Sequence, residues 1–147
     1  PIAAFDADGT LWDGDSAELF LVFITDGAVF PLISVDPIPS WTSYFSLLDN
    51  GDKNGAFGYM AQLFDGTEIS NVSRLAAESF KLNIEHLVIP EMKELVGHLR
   101  SKGWRVVIVT ASPTWIVEPG ARLFGLGPED VFGIEVSYEN DETVVLR

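Results

Sequence analysis

Two aspartates placed one residue apart near the start of the chain are the residues best suited to chemistry. Residues 2–5 have the apolar pattern of a short buried strand, and Asp6 and Asp8 follow it, ahead of Gly9 and Thr10. In an open α/β sheet, ligands bind just beyond the carboxyl ends of the strands. Carboxylates there indicate a metal ion and an anionic substrate, because Mg²⁺ prefers carboxylate and carbonyl oxygen and commonly bridges to phosphate.

A plain surface turn is the alternative interpretation of this segment, since Asp and Gly are ordinary turn residues. A second Asp-Gly-Thr, at residues 65–67, is predicted to be such a turn, with Thr67 capping the helix that follows. The first copy differs because an apolar run precedes it and Leu11 and Trp12 follow it. Of the two copies, we therefore expect only the first, at residues 6–10, to belong to a functional site.

The composition restricts the classes of protein to which the chain can belong. Its 147 residues fit one domain, or a core with a small insertion, and 47% hydrophobic residues can form a sizeable core. The formal net charge of −13 argues against non-specific nucleic-acid binding. The absence of cysteine excludes disulfides, thiolate metal sites and a cysteine nucleophile.

The most apolar part of the chain, residues 19–35, is not predicted to span a membrane. Asp26, Gly27 and Pro31 interrupt it, and a spanning helix tolerates such residues poorly. A cytoplasmic location is favoured. A periplasmic or secreted one stays open, because the chain begins at Pro1 rather than at a methionine and an upstream segment could have been removed.

Most of the first half of the chain has a helical pattern. Asp15 is predicted to cap a nearly all-apolar helix over residues 17–24, and apolar residues at helical spacing predict three or four short helices between residues 41 and 84. Pro90 suits a first helical turn, and Gly103 suits the end of that helix.

The second half adds strands. The β-branched run at residues 104–109 is the clearest strand and is expected to end at residues 110–112. A helix from Pro113 to about Phe124 should be kinked or loosened by Pro119, and residues 132–138 and 143–146 are predicted to form a β-hairpin. Helix, glycine and strand make half of a βαβ unit, so a parallel sheet covered by helices is the expected architecture.

The ends of the two predicted parallel strands are expected to meet at one edge of the sheet. Thr110 and the amides beyond it, close to a helix start, suit an anionic oxygen, whereas helix capping is the alternative role for Thr110 and Ser112. Two carboxylates, a metal site and a hydroxyl-lined anion pocket are the parts needed for phosphoryl transfer to aspartate.

With these residues placed, the sequence resembles the haloacid dehalogenase-like hydrolase superfamily. Residues 6–10 (DADGT) resemble its first motif and residues 107–110 (VIVT) its second. Residues 12–16 and 110–115 resemble the phosphoserine phosphatase-like branch, which includes phosphoserine and phosphorylcholine phosphatases. The resemblance implies a Rossmann-like parallel sheet core, formed by residues 1–15 and 85–147, with an inserted helical cap at residues 16–84.

The resemblance also implies a role for each site residue. Asp6 would attack phosphorus and form an aspartyl phosphate, and Asp8 would protonate the leaving alcohol and then activate water. Asp6 and the backbone carbonyl of Asp8 would bind Mg²⁺, and Thr110 and Ala111 would hold the phosphate. Asp15 matches an acidic cap residue that meets the substrate's amine, although helix capping alone also explains it.

The sequence departs from this family pattern after the second motif. The third motif is a lysine and the fourth an acidic pair, yet no lysine follows Lys102. Acidic residues at Glu129, Asp130, Asp141 and Glu142 come too early to replace the pair. We therefore expect a phosphatase that lacks its C-terminal strands, or alternatively a truncated, non-catalytic phosphate- or metal-binding module.

The expected substrate is a small-molecule phosphomonoester. Aromatic faces attract quaternary ammonium groups, and Trp12, Trp41, Tyr44 and Phe45 are predicted to flank the cap entrance, which suggests an amino- or choline-bearing ester. Packing of these rings in the cap core is the alternative. A phosphoacceptor receiver domain does not fit, because 104 residues with a mainly helical pattern separate Asp6 from Thr110.

Overall fold

A three-stranded parallel sheet forms the centre of the protein in the computed structural model, which describes residues 1–25, 37–139 and 142–144. The strand order is β1 (Ile2–Phe5), β2 (Arg105–Pro113), β3 (Val131–Ile134), so β2 lies in the middle. Ile2 pairs with Arg105 and Phe5 with Ile108. This register brings the carboxyl ends of β1 and β2 to the same edge and confirms the predicted α/β class.

Helices cover one face of the sheet. They are α5 (Pro90–Ser101) and α6 (Thr114–Leu123), and side chains from both join Val106, Ile108 and Val131 in one buried cluster. Pro90 occupies the first turn of α5 as predicted. Gly103, with φ of +81°, follows α5 in the left-handed conformation that glycine adopts without a Cβ penalty and leads directly into β2.

In the part of the chain that the structure describes, four further helices lie between β1 and α5. They are α1 (Ser16–Ile24), α2 (Pro37–Asp49), α3 (Lys53–Gln62) and α4 (Ile69–Asn83), with a 3-10 turn at Glu85–Leu87 before α5. Their apolar faces form a second buried cluster that includes Phe20, Tyr44, Met60 and Phe64, together with Trp115 from α6. Among the described residues, no helix is both long and apolar enough to span a bilayer.

The predicted C-terminal hairpin divides into two parts. Residues 131–134 form β3, which pairs in parallel with β2, and only the following strand, β4 (Ser137–Glu139), pairs in antiparallel fashion with β5 (Glu142–Val144). The prediction of one long first strand at residues 132–138 was therefore wrong. Residues 145 and 146 lie outside the described part of the chain. A 3-10 turn at Pro128–Asp130 precedes β3.

Two local predictions of helix caps were also wrong. The N-cap of α4 is Glu68 rather than Thr67, and no side-chain hydrogen bond caps that helix end. Ser112 does not cap α6, since Pro113 occupies the N-cap position. Pro119 lies inside α6 (Thr114–Leu123) without ending it, and the kink or loosening expected there stays a prediction.

The opposite face of the sheet carries exposed apolar side chains. Ile2, Val109 and Phe132 are 63%, 53% and 48% exposed, and the pairing of Val109 with Phe132 places these two side by side. Parallel sheets are normally covered on both faces. Within the described residues, the helices therefore leave one face of this sheet uncovered.

Candidate active site

A tight turn directly after β1 presents the two aspartates of the first motif. The Asp6 side chain is exposed, and its Oδ1 accepts a hydrogen bond of 2.9 Å from the Ala7 amide. The turn closes through hydrogen bonds from the Thr10 and Leu11 amides to the Ala7 carbonyl, at 3.1 and 2.8 Å. Gly9 has φ of +73°, a conformation that costs glycine little and other residues more.

Asp8 is the most extensively bonded side chain of the site. Its Oδ1 accepts hydrogen bonds from Trp12 Nε1 at 2.6 Å and from the Ser16 amide at 2.9 Å. Its Oδ2 accepts one from the Ser112 hydroxyl at 3.4 Å. Asp8 therefore connects the first motif to the N-terminus of α1 and to the end of β2.

The contacts of Trp12 and Ser112 with Asp8 were missed at the level of sequence. Trp12 was assigned to the cap entrance and Ser112 to a helix cap, yet both donate to the same carboxylate. The only sequence signal for Trp12 is its position four residues after Asp8. Ser112 had no such signal, because 104 residues separate it from Asp8.

The predicted phosphate-binding segment lies in an irregular part of β2. Pairing with β3 is regular to Val109 and resumes at Pro113 after a register shift. Between these points the Ser112 amide donates to Thr110 Oγ1 at 3.1 Å, and Ala111 is exposed. Because the Thr110 hydroxyl accepts this bond, its own proton is available for donation to an anion.

A glycine on β3 allows this irregular segment to fit against the sheet. A Cβ placed on Gly133 would lie 2.5 Å from the Ser112 carbonyl oxygen and 2.9 Å from Thr110 Cγ2. Such distances are too short for real carbon contacts, and the nearer atom belongs to the backbone. The segment can therefore adopt this shape only because residue 133 is glycine and has no Cβ.

Asp15 caps α1, as predicted from the sequence. Its Oδ1 accepts a hydrogen bond of 2.8 Å from the Glu18 amide. Burial raises the pKa of Asp15, its own cap hydrogen bond opposes this rise, and the negative charge of Asp8 adds to it. Burial also raises the pKa of Glu18, followed by the charges of Asp15 and Asp8. Three carboxylates are therefore grouped near the start of α1.

The aromatic residues predicted at the entrance are divided between core and surface. Trp12 is fully buried and packs edge-on against Phe80 with ring centroids 5.0 Å apart, and Tyr44 is also fully buried. Trp41 is 41% exposed and lies against Phe45 at 4.4 Å. The packing alternative therefore holds for Trp12 and Tyr44.

The negative charges of the first-motif aspartates are not neutralised by any described ion pair. The ion pairs of the described residues join Arg74 to Glu78, Arg105 to Asp130 and Arg122 to Glu118, and none includes an aspartate of the first motif. The Asp8 carbonyl accepts no backbone hydrogen bond from a described residue. That carbonyl and the exposed Asp6 carboxylate are hard oxygen donors of the type Mg²⁺ takes, although they supply two ligands of an octahedral set.

The described residues hold no cluster of three or more His, Cys, Asp or Glu side chains able to bind a metal.

The family model for haloacid dehalogenase-like hydrolases matches residues 3–147. The chain belongs to this hydrolase family. Asp6 and Asp8 directly follow the first strand of the sheet, and Thr110 lies in the second.

Relatives of known sequence or structure extend beyond this chain. Protein CicA of Caulobacter vibrioides is 31% identical over an alignment of 147 positions that covers 98% of this chain and 63% of CicA. A protein of unknown function from Bordetella pertussis has a TM-score of 0.78 at 18% identity, covering 97% of this chain and 63% of that one. A phosphoserine phosphohydrolase-like protein from Francisella tularensis has a TM-score of 0.59 at 20% identity, with 99% and 62% covered. The chain thus spans less than two thirds of the length of these relatives.

Proposed function

We propose that the chain provides the nucleophile and acid–base residues of a Mg²⁺-dependent phosphatase that hydrolyses a small phosphomonoester through an aspartyl phosphate. The observation that supports this most is the hydrogen bond between Asp8 Oδ2 and Ser112, which connects the first motif to the segment after Thr110. A nucleophile, an acid–base group and anion donors then lie at one edge of the sheet. Similarity to a phosphoserine phosphohydrolase-like protein supports the same reaction class.

In the first step, a carboxylate oxygen of Asp6 attacks phosphorus and the bond from phosphorus to the alcohol oxygen breaks. Asp8 gives its proton to that oxygen, so the alcohol leaves neutral. In the second step, water attacks the phosphorus of the aspartyl phosphate and gives a proton to Asp8, which releases Asp6 and inorganic phosphate. The Thr110 hydroxyl and the Ala111 amide donate to the phosphate oxygens.

The Asp6 carboxylate and the Asp8 carbonyl would hold Mg²⁺. The bound ion would neutralise phosphate charge, as it does in phosphoryl transfer generally. The protein itself would orient the exposed Asp6 carboxylate toward phosphorus and would hold the Asp8 proton next to the leaving-group oxygen. Residues 1–15 and 85–147 would form the catalytic core and residues 16–84 the cap.

The leaving group would carry an amino function, as in phosphoserine- or phosphorylcholine-like esters. Asp15 and Glu18 provide negative charge near Asp8, and the described ion pairs do not neutralise it. The Tyr44 hydroxyl is buried with no hydrogen-bond partner among the described residues. The charges of these carboxylates contribute to raising the Tyr44 pKa, after the larger effect of burial. This negative charge is the feature that favours an amino-bearing leaving group.

A non-catalytic phosphate- or metal-binding module is the second candidate. The observation in its favour is that no described Lys or Arg side chain pairs with Asp6, Asp8 or Asp15. Phosphoryl transfer depends on charge neutralisation at the phosphate. Binding without turnover is the behaviour expected if that neutralisation is insufficient.

Hydrolysis of phosphoserine, phosphorylcholine and p-nitrophenyl phosphate by the full-length protein, with Mg²⁺ and with EDTA, tests the proposal. We expect Mg²⁺-dependent release of phosphate that is lost in Asp6→Asn, because an amide cannot replace the carboxylate nucleophile. Phosphate binding without hydrolysis would favour the second candidate. Equal turnover by Asp6→Asn would contradict the proposed role of Asp6.

A further inference from the structure

The two carboxylate oxygens of Asp8 have different surroundings. Oδ1 is held by two N–H donors, one on the Trp12 side chain and one on the Ser16 backbone. Oδ2 has a single, longer hydrogen bond from the Ser112 hydroxyl. An oxygen that already accepts two donors at 2.6 and 2.9 Å is a poor place for a proton, so proton transfer is left to Oδ2.

We infer that Asp8 acts as acid and base through Oδ2, and that Ser112 is a positioning residue that aims this oxygen at the leaving group. The inference rests on the proposed function and adds a role for Ser112, which is neither the nucleophile, the acid–base residue nor a phosphate ligand. Ser112 is 4% exposed, and its hydroxyl donates to no other described residue. Its hydroxyl is therefore committed to Asp8 in this structure.

The location of Ser112 explains how this bond forms. Ser112 follows Thr110 and Ala111 in the irregular segment of β2, where its amide bonds to the Thr110 hydroxyl. The same short segment thus contacts Asp8 through the Ser112 side chain and offers donors to the phosphate through Thr110. A phosphate held by Thr110 would bring its ester oxygen close to the oxygen that Ser112 aims.

The proton moves in both steps of the reaction. In phosphoryl transfer, the bond from phosphorus to the ester oxygen breaks as Asp6 bonds to phosphorus, and the Oδ2 proton passes to the ester oxygen. In hydrolysis, water bonds to phosphorus, its proton passes to Oδ2, and the bond from phosphorus to Asp6 breaks. Whenever Asp8 is ionised, the Ser112 hydroxyl donates to Oδ2, and this hydrogen bond keeps Oδ2 in the same position between the two steps.

The dependence of the rate on the leaving group distinguishes a Ser112 that positions the Asp8 proton from a Ser112 that only stabilises the fold. An alkyl alkoxide needs a proton as it leaves, whereas p-nitrophenolate leaves readily without one, so only alkyl esters depend strongly on the general acid. We compare kcat/KM of the full-length protein for an alkyl phosphate and for p-nitrophenyl phosphate. This constant reports on the steps up to phosphoryl transfer.

Ser112→Ala is expected to lower kcat/KM for the alkyl ester about 10-fold to 100-fold, which is less than the roughly 10²-fold to 10⁴-fold contribution of general acid catalysis because Asp8 itself remains. The aryl ester should change less than about twofold, and Ser112→Thr, which keeps a hydroxyl, should restore much of the alkyl rate. Ser79→Ala is the matched control, since Ser79 is 3% exposed and lies in α4. It should leave the ratio of the two rates unchanged.

Trp12→Phe gives a second test if Ser112→Ala fails to fold. Loss of the indole N–H releases Oδ1, so Asp8 can rotate and the alkyl ester should again lose more than the aryl ester. Equal losses for both esters in these variants, with an active wild-type protein, would overturn the inference alone. A wild-type protein that hydrolyses neither ester would overturn the proposed function and this inference together.

Discussion

Gly120 is the position where a single methyl group should disturb both stability and the site. Gly120 lies in α6, against the rings of Trp12 and Phe80. A Cβ at this position would lie 2.4 and 2.6 Å from Trp12 Cζ3 and Cη2, and 2.7 Å from Phe80 Cζ. The indole that would have to move is the one whose N–H holds Asp8.

The expected size of the effect is a difference of two terms. Replacing glycine by alanine within a helix normally stabilises by about 1 kcal/mol. Overpacking of a close-packed core costs about 1–3 kcal/mol, and three aromatic carbons closer than 3.0 Å place Gly120→Ala at the upper end. The net loss is about 2 kcal/mol, which corresponds to a Tm lower by roughly 4–8 °C for a chain of this size.

Thermal unfolding followed by circular dichroism measures this change, with Gly97→Ala as the matched control. Gly97 is also helical, in α5, and no atom lies within 4 Å of a Cβ built there. Gly97→Ala should therefore raise the Tm by roughly 2–4 °C. A Gly120→Ala protein as stable as Gly97→Ala would refute the packing of α6 on Trp12.

Three further predictions concern charge, backbone fit and chain length. Because burial raises the pKa of Asp15, the folded state binds that proton more tightly, so the stability linked to this proton is fully present below about pH 3.8 and is lost as pH rises through the higher pKa of the folded state. Asp15→Asn keeps a capping oxygen and cannot ionise, so urea unfolding should show its advantage over wild type growing from about pH 3 to about pH 7; an advantage independent of pH would contradict this. Gly133→Ala should raise the Kd for phosphate, measured by titration calorimetry on the folded variant, because the added Cβ would displace the Ser112 carbonyl. An unchanged Kd would show that the shape of the segment does not depend on Gly133. Residues 1–147 expressed alone should hydrolyse phosphomonoesters slowly or not at all, because no described Lys or Arg side chain pairs with Asp6 or Asp8; rapid Mg²⁺-dependent hydrolysis that Asp6→Asn abolishes would show that these residues neutralise the phosphate by themselves.

The parts of the site that could be predicted from sequence depend on contacts between near neighbours. Asp15 caps α1 through a bond to Glu18 only three residues away, and Pro90 begins α5 because its ring suits a first helical turn. The end of β1 before Asp6 and the end of the regular part of β2 before Thr110 could be predicted because each polar residue interrupts an apolar run. In these cases the side chain and its partner share one local segment.

The parts that could not be predicted depend on contacts between distant segments. Residues 132–138 were predicted as one hairpin strand, but residues 131–134 pair with β2 instead, because β2 offers a free edge within the sheet. The register shift after Val109 depends on Gly133, and the Ser112 side chain turns to Asp8 only once β1 and β2 are paired. Trp12 was placed at the entrance by its aromatic character, whereas the space beside Gly120 allows its burial.

The site of covalent phosphate tests the central proposal most directly. The full-length protein is mixed with an excess of a phosphomonoester that it hydrolyses, quenched in acid, and digested for peptide mass spectrometry. We expect phosphate on Asp6, released by hydroxylamine as an acyl phosphate and absent from Asp6→Asn. Phosphate recovered on any other residue, or at normal yield from Asp6→Asn, would contradict Asp6 as the nucleophile.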